Sequence, residues 1–164
     1  MGNNGKILVF VDLPAGELDE TGRGLLSYGS RLAGTLDLPW GAVVATEIDS
    51  SQLAAFGIYG TPEISCMAEG EALLDRPALF GKYLAKLAKD EEATVILLPH
   101  NALGATLAPI VAHELGAAIM TELVTVNRSA DGVRLSRRTL GIRLAETRLW
   151  DGSRPLVVTI PSRN

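Results

Sequence analysis

Four stretches of this chain, KILVFVD (6–12), PWGAVVATEI (39–48), ATVILLP (93–99) and PLVVTI (155–160), hold short apolar runs rich in β-branched residues. Their apolar residues run consecutively instead of alternating with polar ones. Strands of that kind are buried on both faces, as in a parallel sheet whose connections are helices. Segments of helical period lie between them, as that architecture requires. TGRGLLSYGSRLAGTL (21–36) carries Leu25, Leu26, Leu32 and Leu36 near helical spacing. Its Gly22, Gly24, Gly29 and Gly34 weaken an isolated helix but permit close packing on a sheet. SQLAAF (51–56) reads as a short helix, and PEISCM (62–67) as a further strand after a turn at Gly60. RPALFGKYLAKLAKDEE (76–92) sets Leu79, Tyr83, Leu84 and Leu87 on one side and Lys82, Lys86 and Lys89 on the other, a surface helix with a solvated lysine face.

After ATVILLP comes LLPHNALGATLAP (97–109), where the apolar run ends in His100 and Asn101 and a helix opens. A proline deep inside a helix costs about 3 kcal/mol. The helix is therefore expected to start near Gly104 or Ala105, with Pro109 in or just after its first turn. Leu107, Ile110, Val111 and Leu115 supply its stripe, and Gly116 its stop. From residue 117 no helical stripe remains. SADG (129–132) and WDGS (150–153) each hold Asp-Gly between strand-like flanks, a hairpin signal, so the chain is expected to end in paired strands. With no repeat and no linker, residues 1–164 are expected to form a single domain.

Composition narrows the function. A net charge of −4 and a pI near 5.2 leave no electrostatic footprint for nucleic acid or an anionic membrane. No apolar run is long enough for a membrane span or a signal-peptide core, so the expected location is the cytoplasm or an organelle matrix. A single cysteine, Cys66, excludes an internal disulfide and a cysteine-rich metal site, and it is expected to be a plain buried residue. No GxSxG elbow, HExxH or recognisable carboxylate pair is present, so no catalytic site is expected. His113, beside Glu114 on the helix, reads as a surface pair.

Two groups of residues are candidate sites. Asp12 ends the first strand and His100 and Asn101 end ATVILLP, the sheet edge where open α/β folds bind ligands. With Gly104 and Thr106 at the helix start they form a candidate nucleotide crevice, in which Asp12 would accept from a ribose and the helix would meet a phosphate. Neither GxGxxG nor GxxxxGK[ST] accompanies them. The second group is Arg134, Arg137, Arg138, Arg143 and Arg148, a concentration of positive charge in an acidic chain. Same-parity positions of a strand share a face, so Arg134 and Arg138 should point together and Arg137 away. This group reads either as a solvated hairpin or as a docking interface.

Several segments together resemble the N-terminal domain of the α subunit of electron transfer flavoproteins: KILVFVD with the following GEL, LAAFGIYG, AKDEEATVILLPHNALGATLAPIVAHELGAAIMTELVTV, RRTLGIRLAETR and SRPLVVTIPS. The resemblance implies a three-layer α/β domain of the adenine-nucleotide α-hydrolase-like, Rossmann-like type, a parallel sheet flanked by helices with a C-terminal antiparallel hairpin extension. It also implies electron transfer in a heterodimer with a β-type subunit, reached by dehydrogenases through the complex. In that family FAD lies mostly in a second, C-terminal domain of the α subunit and AMP in the β subunit, so this domain alone is expected to bind neither. The chain stops at PSRN, where the flavin domain would begin; a separate flavin domain, or a second copy of the chain, are further partners this reading allows. Where relatives carry GRDLAP this chain has Ala105 and Thr106. A Tyr-Gly-Gly pattern has become Leu140, Gly141 and Ile142, and Arg143 stands where Lys or Asn is usual. The reading of a different class is a stand-alone domain binding AMP or ATP in the strand-end crevice.

Overall fold

The computed structural model describes residues 5–141 and 143–162. Six parallel strands form the main sheet: β1 (Ile7–Phe10), β2 (Trp40–Val44), β3 (Ile64–Cys66), β4 (Val95–Pro99), β5 (Ala118–Met120) and β9 (Leu156–Ile160), in the spatial order β3-β2-β1-β4-β9-β5. β1, β2, β4 and β9 are buried at every position, as their largely apolar sequence requires, with Thr159 of β9 the polar residue among them. A separate three-stranded antiparallel sheet is built from β6 (Leu123–Ser129), β7 (Gly132–Thr139) and β8 (Leu144–Trp150). The expected hairpin extension is thus a sheet of its own.

Helices cover the main sheet on both sides. α1 (Glu20–Leu36) and α2 (Ser50–Ile58) pack on one face, and α4 (Pro77–Asp90) and α5 (Ala102–Leu115) on the other; a short α3 (Gly70–Leu73) leads into α4. Gly29 brings α1 onto β1, since a Cβ there would lie 2.7 Å from Val9 Cγ2. Gly24 and Gly34 face open space and play no such part. The lysines of α4 are exposed opposite a buried stripe of Phe80, Leu84, Ala85 and Ala88, and Phe80 meets Phe10 edge-on at 5.3 Å; Tyr83, expected in that stripe, is instead exposed, and Leu79 and Leu87 only flank it. Among the described residues no helix lies over β9 and β5 on the α1 side. The antiparallel sheet takes that place, with Leu123, Val133, Leu135 and Trp150 joining the same core as α1, β4 and β9. Tyr28 of α1 ties the two parts together by donating to the Val124 carbonyl at 3.3 Å.

Three expectations are corrected. α5 begins at Ala102, not near Gly104, and Pro109 sits within it. Asn101 caps the earlier start, its side chain accepting the Gly104 N–H at 2.9 Å. Pro109 and Ala105, whose carbonyl loses its donor, are both exposed, so water can serve the freed carbonyl. SADG closes the β6–β7 hairpin as expected, but WDGS leads from β8 of one sheet to β9 of the other and closes no hairpin. The second hairpin turn lies instead between Thr139 and Leu144; Ile142 in it falls outside the described residues. Cys66 is exposed, because β3 is the outermost strand of its sheet and has a neighbour on one side only.

Candidate functional site

β1 and β4 are neighbours whose outgoing chains turn to opposite faces of the sheet, β1 into α1 and β4 into α5. Their carboxyl ends therefore form the topological switch point, where open α/β sheets place ligands. Asp12 and Asn101 meet there, with Pro14, Asp19, Thr21, Gly22, Leu25 and Pro99, around a recess of about 30 Å³. That is room for one or two waters.

The N-termini of α1 and α5 both flank this recess, and uncapped helix starts would offer N–H groups to an anion. Both are capped from within. Asp19 accepts the Gly22 N–H at 2.8 Å and Asn101 accepts that of Gly104 at 2.9 Å. The recess also carries two carboxylates. Burial pushes the Asp12 carboxyl above its ordinary pKa; the Leu13 backbone hydrogen bond partly offsets this, and the Asp19 charge adds to it. A phosphate there would meet the carboxyls of Asp12 and Asp19, and one N–H of each helix start is already taken.

The raised Asp12 pKa has a consequence for stability. A carboxyl harder to ionise when folded than unfolded weakens the fold once ionised, and the penalty vanishes below its unfolded pKa. Asp12→Asn should raise the melting temperature at neutral pH, and the gain should shrink as pH falls towards the ordinary Asp range. A variant that melts below the wild type at pH 7 would contradict this.

The other crevice candidates lie apart from one another. His100 turns towards β9: its Nδ1 lies 2.9 Å from Thr159 Oγ1, and its backbone N–H donates to Ile160. Thr159 is fully buried and accepts the Glu122 backbone N–H at 2.9 Å. On the other side of the ring, His100 Nε2 lies 3.7 Å from the Glu122 carboxylate. His100, Thr159 and Glu122 thus lock the end of β4 to the turn that leads into the antiparallel sheet. Gly104 is buried against the Pro99 carbonyl. Thr106 is exposed and donates to Ala102 within its own helix at 2.8 Å. His113 is exposed in the last turn of α5.

The arginines divide by the pleat of β7. Leu135 and Arg137 point to the core side, where Arg137 pairs with Glu146 at 2.7 Å and donates to Thr121 Oγ1 at 2.8 Å. Arg148, opposite Leu135, reaches the same Glu146 at 2.5 Å. These two arginines, Arg148 first, hold the Glu146 carboxyl below the usual carboxylate range. Arg134 and Arg138 share the outer face, as their parity predicts, beside Ser136 and Thr147, whose hydroxyls bond across the strands at 2.9 Å. Arg134 approaches Asp131 at 3.8 Å, and Arg138 and Arg143 are exposed. Sequence reasoning missed Asp19, Glu122, Thr159 and Glu146. A hydroxyl inside the apolar run LVVTI was the available signal for Thr159; Glu122 meets Thr159 and His100 only through the fold, and Glu146 meets Arg137 only through the β7–β8 pairing, although Arg148 stands two residues from it in the same strand.

Against this geometry stands one match. The family model of the electron transfer flavoprotein domain covers residues 7–164. The chain belongs to the electron transfer flavoprotein domain family. Both the six-stranded parallel sheet and its separate antiparallel sheet agree with that fold. Electron transfer flavoprotein domains serve electron carriers, which work with partner subunits. No curated protein sequence matches this electron transfer flavoprotein domain. Among its described residues no group of His, Cys, Asp and Glu is arranged to hold a metal ion, and no helix is long and apolar enough to cross a membrane.

Proposed function

We propose that this chain is an α-type module of an electron transfer flavoprotein assembly, supplying scaffold and docking surface to a β-type subunit without holding FAD or AMP itself. The outer face of the antiparallel sheet carries the proposal. Arg134 and Arg138 lie there on one face, Arg143 stands at the adjoining turn, and the chain as a whole is acidic with a net charge of −4. A local positive face on an acidic protein selects a partner of opposite charge and speeds its approach. The partner subunit is therefore expected to present carboxylates, and dehydrogenases meet the complex and not this chain alone. The tight, acidic, self-capped switch point supports the second half of the reading.

The test is co-expression with a β-type electron transfer flavoprotein subunit, followed by affinity measurement. Reversing Arg134 and Arg138 to Glu should weaken binding about tenfold or more and remove the loss of affinity with added salt, because the attraction that salt screens is gone. Unchanged affinity in that double variant would overturn the docking assignment. The chain purified alone should be colourless and give a flat calorimetric titration with AMP and ATP. A yellow preparation, or saturable nucleotide binding lost in Asn101→Ala, would instead favour a cofactor-binding domain.

A further inference from the structure

β8 reads LAETRLW and is the outer strand of its sheet, hydrogen-bonded to β7 on one side and, among the described residues, to no strand on the other. Among the described residues β7 is also the only element against which it packs extensively. Leu144 and Leu149 are 55% and 47% exposed, and Ala145, Thr147 and Arg148 are exposed as well. Natural edges are usually blunted by charged side chains, above all lysine, or by proline, a bulge or shortness. β8 is seven residues long with no proline or lysine, its two charges are the opposite pair Glu146 and Arg148, and the irregularity in the sheet lies on the opposite edge, between Leu123 and Thr125 of β6.

The strand is also symmetric about Thr147. Ala145 and Leu149 are apolar partners at equal distance from it, Glu146 and Arg148 are opposite charges, and Leu144 and Trp150 are large apolar residues. Antiparallel pairing of two such strands with Thr147 facing its own counterpart places each residue opposite its complement. Directly opposed residues of an antiparallel pair share a face, so the Ala145–Leu149 and Glu146–Arg148 contacts are made. Glu146 and Arg148 lie on the side of the sheet where Arg137 already holds Glu146, so the pairing extends an existing row of alternating charge. Moving the two-fold centre by one residue either way would set Glu146 against Glu146, or Arg148 against Arg148. Opposed like charges are destabilising, which singles out the register.

We propose that two copies of this chain associate through β8, antiparallel and centred on Thr147, so that their three-stranded sheets become one continuous sheet. The contact is isologous and closes on itself, which limits assembly to a dimer. It uses the edge of the sheet, not its arginine-bearing face, and it does not depend on the electron-transfer reading.

Sedimentation velocity of the isolated chain should show a concentration-dependent dimer. Glu146→Arg and Arg148→Glu should each sediment as monomers, because each opposes like charges twice. An equimolar mixture of the two should dimerise again, as should the chain carrying both changes. Restoration by mixing cannot come from a misfolded variant. A second readout keeps the idea testable if Glu146→Arg loses its fold along with the Arg137 pair. In a Cys66→Ser background, Thr147→Cys should oxidise to a disulfide dimer, because opposed Cα atoms about 4.5–5.5 Å apart lie within disulfide range. A wild type that stays monomeric at every concentration overturns the proposal, even if a different chain is found on β8. So does a dimer that survives Arg148→Glu, or a Thr147→Cys variant that does not cross-link.

Discussion

Gly104→Ala is expected to lose about 4 kcal/mol, most of the margin of a domain whose stability is of order 5–15 kcal/mol. The added Cβ would lie 2.7 Å from the Pro99 carbonyl carbon and deeper still into its oxygen, which is backbone and cannot swing aside. β4 and α5 are joined here by only His100 and Asn101, and each is fixed. His100 is held to β9 by its backbone N–H and by Thr159, and Asn101 must stay beneath the Gly104 N–H it caps. Relieving the clash therefore means lifting the first turn of α5 and breaking its cap, itself about 1 kcal/mol. The measurement is urea unfolding, with soluble yield recorded in parallel. A soluble Gly104→Ala protein with the wild-type midpoint would show that the corner is looser than described.

Trp150→Ala is expected to cost about 3–5 kcal/mol, the usual range for removing a large buried aromatic side chain. Trp150 is 7% exposed, donates from its indole to the Arg154 carbonyl at 2.8 Å, and joins the core beneath the antiparallel sheet. It is one of two tryptophans, and the other, Trp40, lies in β2 and reports on the parallel sheet. The loss should be uneven: hydrogen exchange in β6, β7 and β8 should accelerate far more than in β1 and β4. Equal acceleration in both sheets would mean that the two parts unfold as one unit.

Acid should act on the same part of the molecule. Glu146 has a folded pKa below its unfolded value, so the stability it contributes is present above the ordinary carboxylate range and is lost as pH falls through the depressed value. Loosening of the β7–β8 pairing below that range, followed by hydrogen exchange, is the expected result. Replacement of Glu146 by Gln should abolish the pH dependence there.

The parallel sheet was legible because ILVFV, VILLP and LVVTI are short apolar runs rich in β-branched residues set between helical-period segments, and their burial is complete. The start of α5 was misplaced because the expectation weighed the cost of Pro109 and gave no weight to a cap at Asn101. The helix tolerates the proline by leaving one carbonyl to solvent. WDGS misled for a different reason. Asp-Gly specifies a tight turn but says nothing of which sheet receives the next strand, and that choice rests on β9 fitting between β4 and β5. At the candidate site, sequence brought Asp12 and Asn101 to one edge correctly. It could not show that Asp19 joins them and that His100 turns away, since both depend on side-chain partners supplied by other elements.

The place of β9 bears on how the molecule is made. β4 and β5 are separated by β9, which follows them in the chain after the whole antiparallel sheet. During synthesis β5 has no neighbour to pair with until residues 156–160 have emerged, whereas β6, β7 and β8 can pair by short turns as soon as they appear. Local pairings of this kind close fast and distant ones slowly. The antiparallel sheet is thus ready before the floor it rests on is complete, and its free edge is on offer to another chain while folding is still under way.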